Sequence, residues 1–302
     1  MRGYPASMFH AKRGDTIELS DDVARSSLSV IPGRGALISR FCVGDRDVLY
    51  MDASTLTDRT KSVRGGVPLL FPSPGKLEGD HFARGSRQGD MKQHGFARDL
   101  PWTLSDVRTD GAAAATLILV SDDETRAMFP WDFRFSLTIA LRGARVRLDA
   151  RIENTSRRTM PFAFGIHPYF LVTDKARARI ATRATRAYDN VKKETVPFHG
   201  FDLGNGETDL HLIDHGSTST TLRAADGAQV DLRASEEFTR WVVWTLPGRD
   251  FVCVEPWTAP ANALNTGDSL VDLAAGASRD LWVELESTGG ARDAVRPSSD
   301  AR

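Results

Sequence analysis

Three side chains in this sequence offer proton-transfer chemistry. His94 lies in Gln93-His94-Gly95-Phe96-Ala97-Arg98, between chain-bending features, with Arg98 four residues on. His167 directly precedes Pro168 in Gly165-Ile166-His167-Pro168-Tyr169-Phe170, which biases it toward extended backbone. Glu255 ends the apolar run Phe251-Val252-Cys253-Val254 and precedes Pro256-Trp257. A carboxylate half buried beside Trp257 would have a raised pKa and accept protons well near neutral pH; one facing solvent would not. Taken singly, each histidine is more often structural than catalytic, and Arg98 suits a surface ion pair as well as a ligand. Trp241, Trp244 and Trp257 read as core or rim residues whose aromatic faces also suit sugar C–H surfaces. His10, His81, His199, His211 and His215 read as structural or exposed. His94, His167 and Glu255 also make up a His₂Glu set of the kind that holds catalytic zinc. They are widely separated and contain no His-x-His or His-x-x-x-His pair, so no metal is expected. Neither a phosphate-binding glycine loop nor Gly-x-Ser-x-Gly occurs in context.

The elements that must position these groups follow from a two-residue periodicity. Over 133–141, Phe133, Phe135, Leu137, Ile139 and Leu141 point one way and Arg134, Ser136 and Thr138 the other, as in a half-buried strand. After Arg142-Gly143 the alternation resumes at Val146, Leu148, Ala150 and Ile152, which predicts a long hairpin with one wet face. Further hairpins are expected where 37–43 and 48–51 flank Gly44-Asp45-Arg46-Asp47, where Leu222 and 230–232 flank Ala225-Asp226-Gly227, and where 241–245 and 251–254 flank 246–250. A last strand is expected over 281–285, and a short Asp-capped helix over 122–128, stopped by Pro130. Such strand spacing with few long helices indicates an all-β chain, an antiparallel sandwich or barrel. No linker divides it, so one domain is expected over 10–287, with a disordered tail over 288–302. The stretch 64–102, with Arg64-Gly65-Gly66-Val67-Pro68 and Phe71-Pro72-Ser73-Pro74-Gly75, fits neither strand nor turn. Long ordered loops are more often functional than linking.

Composition narrows the partners. Among 302 residues, 39 basic side chains meet 40 acidic ones for a net charge of −1, which argues against a nucleic-acid binder or a polybasic membrane binder. Cys42 and Cys253 are too few for a disulfide framework. No apolar run approaches the roughly 20 residues of a membrane span, and residues 1–12 lack a signal-peptide apolar region. The expectation is a soluble, cytoplasmic protein, its oligomeric state left open.

Taken in order, Arg-Gly-Gly-Val-Pro (64–68), Phe-Pro (71–72), Gln-His-Gly-Phe-Ala-Arg (93–98), Phe-Gly-Ile-His-Pro-Tyr-Phe (164–170) and Cys-Val-Glu-Pro-Trp (253–257) resemble the aldose 1-epimerase (galactose mutarotase-like) family. Pro130-Trp131-Asp132-Phe133-Arg134 and Asn154-Thr155-Ser156 add to the likeness, which spans about 30–286. The resemblance implies a large β-sandwich with a polar sugar cleft across one sheet, and cofactor-free interconversion of the α and β anomers of an aldose. It implies His167 as general acid and Glu255 as general base. His94 would lie near the ring oxygen and anomeric centre, and Arg98, Arg64 and Asp209 would contact the substrate. The base takes the C1 hydroxyl proton while the acid protonates the ring oxygen, the C1–O5 bond opens, C1–C2 rotates, and reclosure reverses the transfers. A histidine near 6.5 and a glutamate near 4.3 can be tuned toward neutrality from opposite sides. The run 94–102 is also similar to the hexose-6-phosphate 1-epimerase branch, where Arg64 and Arg98 would face a phosphate. Ile166-His167-Pro168 departs from galactose-type members, many of which carry a polar residue after the acid, so the sugar stays open. The alternative is a non-catalytic carbohydrate-binding or sugar-sensing protein on the same fold. A metal-dependent sugar isomerase or lyase is a third reading.

Overall fold

The strongest alternation in the sequence becomes the longest hairpin. Strands Phe133–Arg142 and Arg145–Asn154 pair antiparallel from Phe133↔Asn154 to Arg142↔Arg145. Their apolar residues are buried, while Arg145, Arg147 and Arg151 pair with Glu286, Glu284 and Asp280 on the opposite face. The computed structural model describes residues 8–289. The final strand, Ser278–Thr288, runs past 281–285 at both ends, and 290–302 of the expected tail lie outside the described residues.

This hairpin forms the middle of an eight-stranded back sheet. Its order is Arg179–Ala181, Ser219–Arg223, Gln229–Ala234, Ser278–Thr288, Arg145–Asn154, Phe133–Arg142, Ala113–Val120, Thr103–Arg108. A second sheet, the cleft sheet, orders Glu194–Pro197, Arg186–Asp189, Thr208–Leu212, Arg240–Thr245, Phe251–Trp257, Gly165–Ile166 and Leu69–Leu70, with Tyr169–Leu171 also on Phe251–Trp257. Phe135 and Leu137 of the back sheet share one buried cluster with Val243, Val252 and Val254 of the cleft sheet. A five-stranded meander over residues 9–47 completes the all-β, antiparallel sandwich. The expected helix is present as Asp123–Met128, with Asp122 and Thr125 forming a reciprocal capping box. Among the described residues no helix is long and apolar enough to cross a membrane.

Two expectations need correcting. The 37–51 hairpin closes early: Val43 pairs with Arg46 across Gly44-Asp45, with Gly44 at a φ of 60°. A left-handed glycine suits so tight a turn. Its second strand is only Arg46–Asp47, and Leu49 and Met51 instead bridge Phe170 and Gly65. Glu255, for its part, does not end its strand, because Phe251–Trp257 continues through Pro256. A proline is tolerated where the ladder is irregular, and on one flank the partner is split at His167-Pro168 into two short strands.

The stretch 64–102 is anchored by Phe71, fully buried. Its ring lies 5.2 Å from Phe133, 5.3 Å from Phe135 and 5.9 Å from Phe162, and within 6.3 Å of Phe96 and Phe129. Truncation would leave a cavity between loop and sandwich. Phe71→Ala is expected to cost about 3–5 kcal/mol in urea unfolding; a loss below about 1 kcal/mol would show that this cluster does not anchor the loop.

Candidate functional site

The outward face of the cleft sheet is built by alternation. In Phe251–Trp257, Val252 and Val254 enter the core, whereas Cys253, Glu255 and Trp257 face outward. In Arg240–Thr245, Trp241 and Val243 face the core, and Val242 and Trp244 the cleft. The pairings Gly165↔Trp257 and Tyr169↔Cys253 share one register, which sets His167 opposite Glu255. Because Glu255 pairs with Val242 and Val242 with His211, one rung across four segments reads His211, Val242, Glu255, His167. Two residues along, on the same face, the rung reads Asp209, Trp244, Cys253, Tyr169. Directly opposed residues have Cβ atoms about 4.5–5.5 Å apart, so segments nearly ninety residues apart meet through backbone pairing.

The segment 64–102 forms the facing wall; contrary to expectation it carries strands, Leu69–Leu70 in the cleft sheet and the hairpin of His81–Arg84 with Arg87–Asp90. His94 reaches in with its ring 5.5 Å from His167 and 6.1 Å from Trp257. It does so from a backbone φ of 77°, uncommon for a residue with a side chain and typical of functional sites. Gly95 follows at a φ of 70°, and a Cβ there would lie 2.2 Å from the Phe71 carbonyl oxygen, so only glycine permits this approach. All six residues expected at the site, Arg64, His94, Arg98, His167, Asp209 and Glu255, line one cleft of about 410 Å³, a size that suits a small ligand. Arg64 stands exposed at the rim. Arg98 is mostly buried, donates to Ser62 at 3.2 Å, and keeps a buried Nε without a hydrogen bond.

His167 and Glu255 form the floor. His167 Nδ1 lies 3.4 Å from Glu255 Oε1, with both side chains buried, and among the described residues Nδ1 makes no hydrogen bond. The imidazole stacks on Tyr169, centroids 4.6 Å apart, and Trp257 Nε1 donates to Glu255 Oε2 at 3.0 Å. Burial pushes Glu255 well above its ordinary value, with the nearby Asp209 charge adding to it. Burial drives His167 well below 6.5, helped by His94 and Arg98. Both shifts favour the uncharged pair. Burial also lowers His94, to about 3, with Arg98 contributing. Its Nδ1 donates to the Pro74 carbonyl, so Nε2 of the neutral ring is a hydrogen-bond acceptor.

Several cleft residues escaped the sequence reading. His211, expected to be structural or exposed, is buried on the floor against Trp257, 5.1 Å between centroids, with Asp209 Oδ1 3.4 Å from its Nε2. The alternation of Glu207, Asp209 and His211 with Thr208 and Leu210 was the available signal. Tyr169 also lines the cleft, whereas Trp244, read as a core or rim residue, lines it as expected and donates from Nε1 to Glu207 at 3.0 Å. His167, Cys253 and Glu255 present donor atoms within 4.8 Å of one another. Burial raises the Cys253 thiol as well as Glu255, so this set retains protons that a metal would have to displace.

A family model described as aldose 1-epimerase matches residues 15–286. The Slr1438 protein from Synechocystis sp. PCC 6803 has a crystal structure that superposes with a TM-score of 0.89 and 33% identity, covering 95% of this chain and 99% of that one. A galactose mutarotase-like protein from Clostridium acetobutylicum shares the fold at a TM-score of 0.78 and 16% identity, over 93% of this chain and 98% of its own. An Escherichia coli K12 protein named "Putative glucose-6-phosphate 1-epimerase" is 31% identical over 176 residues, 57% of this chain and 55% of its own length. One of the same name from Cenchrus ciliaris is 30% identical over 202 residues, 60% of this chain and 58% of its own length. The match thus spans little more than half of each of these two relatives.

The raised Glu255 pKa has a consequence for stability. Above the ordinary value of 4.5 the unfolded chain releases this proton while the folded chain keeps it, so stability falls as pH rises from there toward the folded pKa. Glu255→Gln removes that loss while keeping an oxygen for Trp257. Its urea midpoint is expected to exceed the parent's at pH 8 and to converge with it near pH 4.5; an equal or lower midpoint at pH 8 would contradict the buried carboxyl's cost.

Proposed function

Since the chain belongs to the aldose 1-epimerase family, we propose that it interconverts the α and β anomers of a hexose or hexose 6-phosphate at this cleft, within one domain over 10–287. The observation that carries the reading is the His167–Glu255 pair, 3.4 Å apart on the buried floor. Glu255 takes the C1 hydroxyl proton and His167 gives one to the ring oxygen, so the C1–O5 bond breaks and an open-chain aldehyde forms. The reactive state is an ion pair of carboxylate and imidazolium. Ring opening turns it into a neutral carboxylic acid and imidazole, the state that burial favours on both sides. Opening therefore discharges two buried charges at once, and reclosure restores them, so the cost of holding the ion pair in this buried place is set against the gain on opening. Rotation about C1–C2 turns the other face of the aldehyde to the same oxygen, and reclosure returns both protons. Protons alone move, so no metal or nucleotide enters the scheme.

The remaining residues take binding roles. His94 Nε2 accepts from a hydroxyl beside the anomeric centre, and Asp209 accepts from another hydroxyl. Trp244 and Trp257 offer aromatic surface to sugar C–H groups. Arg98 and the exposed Arg64 suit a phosphate on the sugar's far end, where a guanidinium pairs with two oxygens. The names of the two 30–31% identical relatives agree with a phosphorylated substrate.

Polarimetry on fresh α-glucose and α-galactose, and NMR anomer exchange on glucose 6-phosphate, test the activity. Relaxation of all three at the spontaneous rate would overturn it on these substrates. Glu255→Gln and His167→Asn are each expected to lower kcat by about 10²–10⁴-fold without unfolding the protein, and near-parental turnover in either would remove that residue's role. Arg64→Ala is expected to raise KM for glucose 6-phosphate about tenfold or more while changing glucose little; equal effects on both sugars would count against a phosphate at the rim.

A further inference from the structure

The hairpin joining Arg186–Asp189 to Glu194–Pro197 has its tip beside the cleft, and none of the residues given roles above lies on it. The tip is braced by its own side chains. Asp189 Oδ1 accepts from the backbone N–H groups of Val191 and Lys192 at 3.0 Å each, and Lys193 turns the chain with a left-handed φ of 60°. Asn190 ties this tip to the floor twice. Its backbone N–H donates to the Asp209 carbonyl at 2.8 Å, and its Nδ2 donates to Asp209 Oδ2 at 2.6 Å.

The orientation of the Asn190 amide is dictated by its neighbours. Lys193 Nζ donates to Oδ1 at 2.8 Å, which leaves the NH₂ end for the carboxylate. The flipped amide would set oxygen against carboxylate and N–H against ammonium, replacing two attractions with two repulsions. Asp209 Oδ2 is thereby committed. Among the described residues Oδ1 has only His211 Nε2 at 3.4 Å, beyond good hydrogen-bond distance, and Asp209 borders the cleft with its side chain 19% exposed.

We infer that Asn190 is a positioning residue for sugar binding: it acts through Asp209, holding that carboxylate so that Oδ1 meets a substrate hydroxyl, and Lys193 fixes the amide that does so. The inference rests on the sugar-site reading above. Asp209 lies two residues along the same face from the rung that carries Glu255 and His167, so Asn190 belongs to recognition while proton transfer goes on nearby.

The test measures Kd from tryptophan fluorescence and KM and kcat from anomer exchange, on the full chain and on Asn190→Ala and Asn190→Asp. Asn190→Ala is expected to raise Kd and KM about tenfold, with kcat changing far less and the melting temperature close to the parent's. Asn190→Asp, which sets a second carboxylate against Asp209, is expected to weaken binding further. A merely structural role would instead lower kcat and melting temperature together, and that result overturns the inference. A parent that binds sugar alongside an Asn190→Ala protein whose Kd stays within about twofold overturns this role alone. A parent that neither binds nor epimerises sugar overturns the role and the proposed function together.

Discussion

An imidazole and a carboxyl group held opposite one another across a ladder, where neither charge is welcome, set the terms for the rest of this molecule. Water would erase the tension by solvating both ions, so the floor beneath His167 and Glu255 is packed: Tyr169 stacks on the ring and the Trp257 indole covers the carboxyl. The backbone fixes the separation, since the two residues share a register between neighbouring strands. The loop over 64–102 then supplies the wall that a flat sheet lacks, held down by the Phe71 aromatic cluster. Sandwich, loop and cleft together keep this one imidazole–carboxyl pair buried and aligned.

Much of this was legible in the sequence. The hairpin over 133–152 announced itself because one face is wet, so alternation survives in the residue types. The importance of 64–102 was visible from its glycines, prolines and length. Less visible was the strand Phe251–Trp257, buried on both faces. Such a strand reads as a continuous apolar run and conceals which side each residue takes. Its proline looked like an end and proved to lie within, opposite a split partner.

The pairing of His167 with Glu255 could not be read from periodicity. The strands that set it, Gly165–Ile166 and Tyr169–Leu171, hold only two and three residues, too few for a pattern. Family likeness supplied the pairing instead, and the register explains it. His211 shows the complementary failure: its own strand alternates visibly, but its burial comes from Trp257, far along the chain. Asn190 lay in a polar turn whose residue types say only that a turn exists; its partnership with Asp209 arises from the docking of two strands.

The register also limits how this protein can vary. Along Phe251–Trp257 one parity of residue faces hydrocarbon and the other faces the cleft. Gaining or losing a single amino acid there would turn Glu255 into the interior and bring Val254 outward, reversing every position beyond it. Descendants can therefore exchange side chains along this strand but cannot change its length. Insertions and deletions are left to the turn at 246–250 and to other loops, while the cleft floor keeps its spacing and alters only in spelling.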